Sequence, residues 1–262
     1  MFKLATWNVN SLRARQQRVE EWISAEQPDV VCLQETKVVD DQFPGDAFRR
    51  MGYSIAMAGQ RTYNGVAILA RHELQDVRVG LLGASEGEDK RILSARVCGT
   101  FVCSVYVPNG KSVDSPSFTE KLEWLARLRS TLDEWVSPAE DVAVCGDFNI
   151  APEARDVYDP AAFEGHTHFH PREHEALARL REFGLVDAYR ALHDEAEQYS
   201  WWDYRAGAFR RNRGLRIDLI LASGSLMSRC REVAMHKGER GKEKPSDHIP
   251  VMATFGEPAA AE

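Results

Sequence analysis

Short apolar runs rich in Val, Ile and Cys recur along the chain, at residues 29–33, 65–70, 92–97, 101–107, 142–145, 217–221 and 250–255. Their length and β-branched content predict strands. A further apolar stretch at the start of the chain ends in Trp7-Asn8. Some runs alternate with polar residues and others are continuous, which predicts sheets covered on one or both faces. Three segments carry helical spacing instead. Residues 12–25 place Leu12, Val19, Trp22 and Ile23 on one side, with Ser11 as the expected N-cap. Residues 118–136 repeat Phe118, Leu122, Leu125, Leu132 and Trp135 and stop ahead of Pro138. Residues 171–183 open on Pro171 and stop at Gly184, the usual asymmetry of helix ends.

No linker rich in Gly, Ser or Pro interrupts this pattern, so one domain is expected over residues 1–256, with 257–262 as a frayed tail. There is an internal echo. The strand ending in Trp7-Asn8 resembles the one ending in Gly146-Asp147-Phe148-Asn149, each placing an Asn just past a strand. Two similar halves packed as a sandwich would produce it.

Composition narrows the class. With 44% hydrophobic and 28% charged residues in 262, the chain can bury a sizeable core. No apolar run approaches the roughly 20 residues of a membrane helix, and the first residues turn polar too soon for a signal peptide. A cytoplasmic protein is the expectation. The five cysteines are odd in number, form no C-x-x-C pair and fall mostly in apolar runs. Buried reduced thiols fit better than disulfides or zinc. The net charge of −7 argues against a nucleic-acid binder. Acids clustered around a bound cation remove that objection, because the cation inverts the local field.

Five segments share one design, an apolar strand meeting an acid or amide. They are Leu4-Ala5-Thr6-Trp7-Asn8, the run from Val31 through Glu35 to Lys37, Cys145-Gly146-Asp147-Phe148-Asn149, Leu215-Arg216-Ile217-Asp218, and Pro245-Ser246-Asp247-His248 before the last strand. One acid beside a buried strand is ordinarily a structural hydrogen-bonder, since a buried charge must find a partner. Five at equivalent positions converge on one end of the sheets if the strands lie side by side. Oxygen donors without thiols suit Mg²⁺, Mn²⁺ or Ca²⁺, and Glu35 with Asn8 and Asp247 meets the need of Mg²⁺. His248 suits proton transfer or a hydrogen bond to a phosphoryl oxygen. Asp218 is placed to fix its tautomer, Asp147 to orient or deprotonate water, and Tyr106 and Asn149 to donate to developing charge.

A second feature points to DNA. Residues 200–216 interleave Trp201, Trp202, Tyr204 and Phe209 with Arg205, Arg210, Arg211, Arg213 and Arg216. Aromatics stack on bases or sugars and arginines bind phosphates; the plainer alternative is a core aromatic pair beside a solvated basic loop. Arg13, Arg15 and Arg18 form another basic cluster on the first helix, and Arg61 and Arg91 are lesser candidates.

Together WNVNSLRAR, LQETK, YNGVAI, VYVPNG, GDFNIAP, GLVDAYR, SWWDYR, NRGLRID and PSDH resemble the exonuclease III family of DNA repair nucleases, in consistent order from about Phe2 to Phe255. The resemblance implies a four-layer α/β sandwich of the DNase I-like type, two mixed sheets face to face with helices outside. It implies Mg²⁺ dependence, with Mn²⁺ as substitute, and hydrolysis of abasic-site phosphodiesters, 3′-blocking phosphates and duplex 3′ ends. It implies a monomer acting on double-stranded DNA, away from membranes. By motif, Asn8, Glu35, Asp147, Asn149 and Asp247 fall at the metal site, and Tyr106, Asp147, Asn149, Asp218 and His248 at the catalytic positions. Arg13, Arg15, Asn109, Trp201, Trp202, Tyr204, Arg205, Asn212 and Arg216 are the expected DNA contacts.

One position departs from the pattern. In His166-Thr167-His168-Phe169-His170, His168 falls where the best-known pattern has a small residue such as Ser. A ring facing the pocket for an extruded abasic sugar would crowd it, favouring 3′-end cleaning over internal incision. The rival readings are an inositol-phosphate or phospholipid phosphodiesterase of the same fold and a non-catalytic DNA-binding module. The aromatic–arginine loop argues against the first. The presence of Glu35, Asp147, Asp218, Asp247 and His248 argues against the second.

Overall fold

The computed structural model describes residues 1–257; of the expected frayed tail, residues 258–262 lie outside the described ones. The strands are β1 (Phe2–Asn8), β2 (Val30–Gln34), β3 (Ser54–Ala58), β4 (Val66–Ala70), β5 (Gln75–Val79), β6 (Ile92–Val97), β7 (Thr100–Tyr106), β8 (Val142–Asp147), β9 (Leu185–Asp187), β10 (Asp218–Ser223), β11 (Cys230–Met235) and β12 (Val251–Phe255). The helices are α1 (Leu12–Glu26), α2 (Gly45–Arg50), α3 (Pro116–Trp135), α4 (Pro160–Phe163), α5 (Pro171–Arg181), α6 (Ala188–Leu192) and α7 (Gly224–Met227).

Two six-stranded sheets form, ordered β11-β12-β1-β2-β4-β3 and β5-β6-β7-β8-β10-β9. Both are mixed. The pairs β1–β2 and β7–β8 are parallel and every other pair is antiparallel. Read from β11 in one sheet and from β9 in the other, the succession of directions is the same. The echo between residues 7–8 and 146–149 thus has a structural counterpart: β1 and β8 hold equivalent places in the two sheets.

The strand period of two builds the layers. In β2, Val30 and Cys32 point into the core between the sheets, while Val31 and Leu33 point outward under α1. In β8, Ala143 and Cys145 join the inter-sheet core, while Val142 and Val144 meet Leu125, Leu128 and Leu132 of α3 and Leu177 and Leu180 of α5. Central strands buried on both faces need continuous apolar sequence, which is why they read as unbroken runs. The result is the expected helix–sheet–sheet–helix sandwich. Cys32, Cys103 and Cys145 are buried and reduced, whereas Cys98 is exposed and Cys230 half-buried.

Two local features depart from expectation or constrain the site. Ser11 does not cap α1 with its side chain; it sits at φ +91°. The N–H groups of Ser11 and Leu12 instead bond the carbonyls of Glu35 and Thr36 at 2.8 and 3.0 Å, so the end of β2 satisfies the start of α1. At Gly146, with φ +153°, a Cβ would stand 1.8 Å from the Val105 carbonyl oxygen. Only glycine lets β8 approach β7 this closely just before Asp147.

Candidate active site

The C-terminal ends of the parallel strands β1, β2, β7 and β8 and the N-terminal ends of β10 and β12 meet at one edge of the sandwich. Across the ladder Tyr106 lies opposite Asp147, and Asp218 opposite Asp147. The Asn8 amide joins the two sheets: Nδ2 donates to Glu35 Oε1 at 2.8 Å and to Asp147 Oδ2 at 2.9 Å. His248 Nδ1 lies 2.8 Å from Asp218 Oδ2, and its Nε2 is 3.7 Å from Asp147 Oδ2. A cavity of about 180 Å³ opens over these groups, lined among others by Glu35, Tyr106, Asn149, His168, Asp247 and His248.

Burial and like charge set the electrostatics. Asp147 is buried, which pushes its carboxyl up to about 7; His248 opposes this, and Asp218 and Glu35 add to it. Burial pulls His248 down, but Asp218 and then Asp147 outweigh it and carry it to about 10. Both carboxylates favour the protonated ring, with Nδ1–H donating to Asp218 and Nε2 turned toward Asp147. Burial raises the Tyr106 hydroxyl far above the usual phenol range, with Glu35 and Asp147 adding to it, so it stays a donor. Burial would raise Asp247, but His248, Trp201 and Asn10 hold it below the ordinary carboxylate value.

The donor set fits a hard divalent cation. Glu35, Asp147 and His248 offer donor atoms within 4.8 Å of one another, two of them carboxylates and none a thiol. His248 has its Nδ1 engaged by Asp218, which leaves the two carboxylates as the hard oxygen donors of the set. Of the expected metal-site amides, Asn8 is fully buried behind the carboxylates and Asn149 lines the cavity. Asn8 Oδ1 accepts from the Asn10 N–H at 3.0 Å, so Asn8 orients Glu35 and Asp147. Asn149 donates from Nδ2 to the Val107 carbonyl at 3.0 Å and accepts at Oδ1 from Asn109 at 3.1 Å. Asp247 lines the cavity, its oxygens held by Asn10 Nδ2 at 2.9 Å and Trp201 Nε1 at 3.1 Å.

Two expected DNA contacts need correction. Arg216 is fully buried and lies in an ion-pair cluster, 2.7 Å from both Asp156 and Asp187. Its guanidinium cannot reach a phosphate without abandoning two buried carboxylates. Trp202 is also fully buried, packed with Tyr199, Ala208 and Ile249. The SWWDYR pair is thus split: Trp201 lines the cavity and Trp202 is core.

The remaining candidates are exposed or tie the site's loops. Arg13, Arg61, Arg205, Arg210, Arg211 and Arg213 are exposed, with Arg205 paired to Asp203 at 2.6 Å. Arg15 donates to the Asn10 carbonyl at 2.6 Å and to the hydroxyl of Tyr204, itself 48% exposed, at 3.0 Å. Arg18 pairs with Glu21, and Asn212 bridges the Glu197 carbonyl and Lys237. Arg91 stacks over the Tyr106 ring at 4.7 Å.

Sequence reasoning passed over Asn10 and Lys37. Lys37 Nζ bonds Asn10 Oδ1 at 2.6 Å and lies 2.7 Å from Glu35 Oε2, so the two join Glu35 to Asp247. Both lie inside the quoted motifs WNVNSLRAR and LQETK, which was the available signal. Arg240, stacked 4.8 Å over Tyr204 and 5.4 Å over Phe209, lies in no motif and left none.

Known proteins share this construction. The Exodeoxyribonuclease III of Haemophilus influenzae is 36% identical over 97% of this chain and 99% of its own. The structure of an AP endonuclease from Archaeoglobus fulgidus superposes with a TM-score of 0.93 at 40% identity, covering 97% of this chain and 99% of that one. The 3′ phosphatase NExo from Neisseria, bound to a product DNA hairpin, superposes with a TM-score of 0.94 at 39% identity, covering 98% and 100%. Residues 5–248 match the model of the endonuclease/exonuclease/phosphatase family, a span that holds every acid and both histidines of the cavity; the chain belongs to that family.

Proposed function

We propose that this chain is a Mg²⁺-dependent DNA repair nuclease, with Mn²⁺ as substitute, that hydrolyses phosphate esters at duplex 3′ ends: 3′-to-5′ exonuclease and 3′-phosphatase, with abasic-site incision as a further activity. The observation that carries it is the cavity where Glu35, Asp147 and the Asp218–His248 pair meet beside the half-buried Trp201. A bound cation there supplies Lewis-acid polarisation of the phosphoryl oxygen. Asp147, its carboxylate oriented by Asn8 and facing His248 Nε2, orients the attacking water and takes its proton. The His248 imidazolium presents Nε2–H to a phosphoryl oxygen, held in place by Asp218. Tyr106 and Asn149 donate to the same developing charge. The exposed arginines beside Trp201 and Tyr204 favour DNA over a lipid or inositol phosphate. We further propose a cytoplasmic monomer, and among the described residues no helix is long and apolar enough to cross a membrane.

A narrower reading rests on His168. Its Nδ1 is 2.7 Å from the Asn149 carbonyl and its Nε2 3.4 Å from Asn109 Nδ2, so the ring stands in the cavity wall. The relatives do not by themselves favour this reading, since an AP endonuclease and a 3′ phosphatase match about equally well. The crowding nevertheless limits entry of an extruded sugar and leaves a terminal phosphate accessible.

One panel tests both. Duplexes carrying an internal abasic analogue, a 3′ phosphate or an unmodified recessed 3′ end are incubated with Mg²⁺, Mn²⁺ or EDTA. The wild type should act on the 3′ ends only with metal, and Asp147→Asn should lose at least about 10³-fold in kcat, the scale of an essential base. Activity in EDTA, or full activity in Asp147→Asn, overturns the mechanism. His168→Gly should raise abasic incision and spare 3′-phosphate removal; unchanged incision removes the narrower reading.

A further inference from the structure

Behind the cavity wall lies a buried ion pair that the chemistry above does not use. Lys121 of α3 and Glu173 of α5 are both fully buried and bonded to each other. The Lys121 ammonium also donates to the Asn149 carbonyl at 2.7 Å and to the Asn109 carbonyl at 3.3 Å. Glu173 accepts the His170 N–H at 3.1 Å, and Thr167 Oγ1 donates to the Asn109 carbonyl at 3.1 Å. One pair therefore gathers three separate segments: the loop after β7, the end of β8, and the turn that enters α5.

Asn149 has φ +51° and His168 φ +75°. Left-handed backbone is uncommon at a non-glycine residue, more so for His than for Asn, and hydrogen bonds from the surroundings fix it. At Asn149 both carbonyl lone pairs are taken, one by Lys121 and one by the His168 Nδ1–H at 2.7 Å. We propose that Lys121 and Glu173 are positioning residues, an internal clamp that holds the left-handed turn at Asn149 and so sets the Asn109–Asn149–His168 wall against Asp147. The clamp touches no substrate. It acts by fixing the Asn149 amide, whose N–H bonds Asp147 Oδ1 at 2.9 Å, and so links the orientation of Asp147 to a pair two elements away. A buried ion pair can often be exchanged for apolar residues of similar volume without loss of stability, so the placement of this one at the wall, rather than general stabilisation, accounts for it.

The proposal rests on the nuclease reading, and wild-type protein on the 3′-phosphate duplex is the control that separates the two. Lys121→Met/Glu173→Leu removes both charges and strands neither. Expected are a melting temperature within several degrees of wild type, at least a tenfold lower kcat per folded molecule, and a Kd for the duplex in EDTA within threefold. Glu173→Gln, which keeps an acceptor for Lys121, should fall between, at a three- to tenfold loss, and it alone decides if the double variant does not fold. Wild-type kcat per folded molecule in a folded variant overturns the clamp. Failure of the wild type itself to act on any of the three duplexes overturns the nuclease reading instead.

Discussion

At the scale of single residues, identity was legible and depth was not. The acids of the cavity and His248 were marked in the sequence by their place beside an apolar run, because a charge there needs a partner. Arg216 and Trp202 carried the same marks as Arg213 and Trp201. Only packing separates them: Arg216 turns inward to Asp156 and Asp187 while its neighbours stay in solvent. The pair whose state matters most is Asp218–His248, and it has a pH signature. The folded pKa of His248, about 10, lies above the unfolded value of about 6.5. Its stabilisation is thus complete below about pH 6.5 and is lost as pH rises through about 10. Asp218→Asn should remove much of it, so the gap in melting temperature between wild type and variant, measured in EDTA, should be wide at pH 6 and close toward pH 10. A gap that does not change with pH would mean that Asp218 does not tune the histidine.

At the scale of elements, the inner strands declared themselves and the outer ones did not. The apolar runs match β1, β2, β4, β6, β7, β8, β10 and β12, the four inner strands of each sheet. The four edge strands, β3, β5, β9 and β11, went unread. Every residue of β5 is exposed and β11 buries only Val233, so neither carries a continuous hydrophobic signal, while β9 is mostly buried but only three residues long. Polar edges also discourage pairing with other chains. The site is built on inner strands, which explains why it was legible when the sheet borders were not. Its accuracy depends on how closely those strands approach. Gly146→Ala places a methyl against the Val105 carbonyl at 1.8 Å, which backbone cannot yield without opening β8 from β7. Overpacking ordinarily costs about 1–3 kcal/mol, and a backbone clash in a central parallel pair should sit at or above the top of that range. Denaturant unfolding measures this. Activity should fall further than stability, because Asp147 and Tyr106 separate with the strands; a folded variant of wild-type kcat would show that their spacing is not critical.

At the scale of the whole molecule, the net charge of −7 does not exclude the proposed polyanionic substrate, because the groups that meet DNA need only line its path. Glu35, Asp147 and Asp247 line the cavity, and Arg13, Arg61, Arg210, Arg211 and Arg213 stay exposed. Arg216, fully paired, adds nothing to such a face. Each cation that neutralises a phosphate releases condensed counterions, with a slope of about −0.9 in log K against log salt per contact. Five such contacts give a slope of roughly −4.5, or a loss of affinity of roughly 500-fold between 50 and 200 mM salt. Binding to a 3′-phosphate duplex in EDTA, titrated across that range, should show it. Arg211→Ala should lower the magnitude of the slope by about one if that side chain meets a phosphate, whereas Arg216→Gln should leave the slope alone and lower the melting temperature. An equal effect of both substitutions on the slope would place the DNA elsewhere on the surface. A slope near zero for the wild type would mean that the exposed arginines do not carry the DNA at all, and that the cavity's own groups account for whatever binding remains.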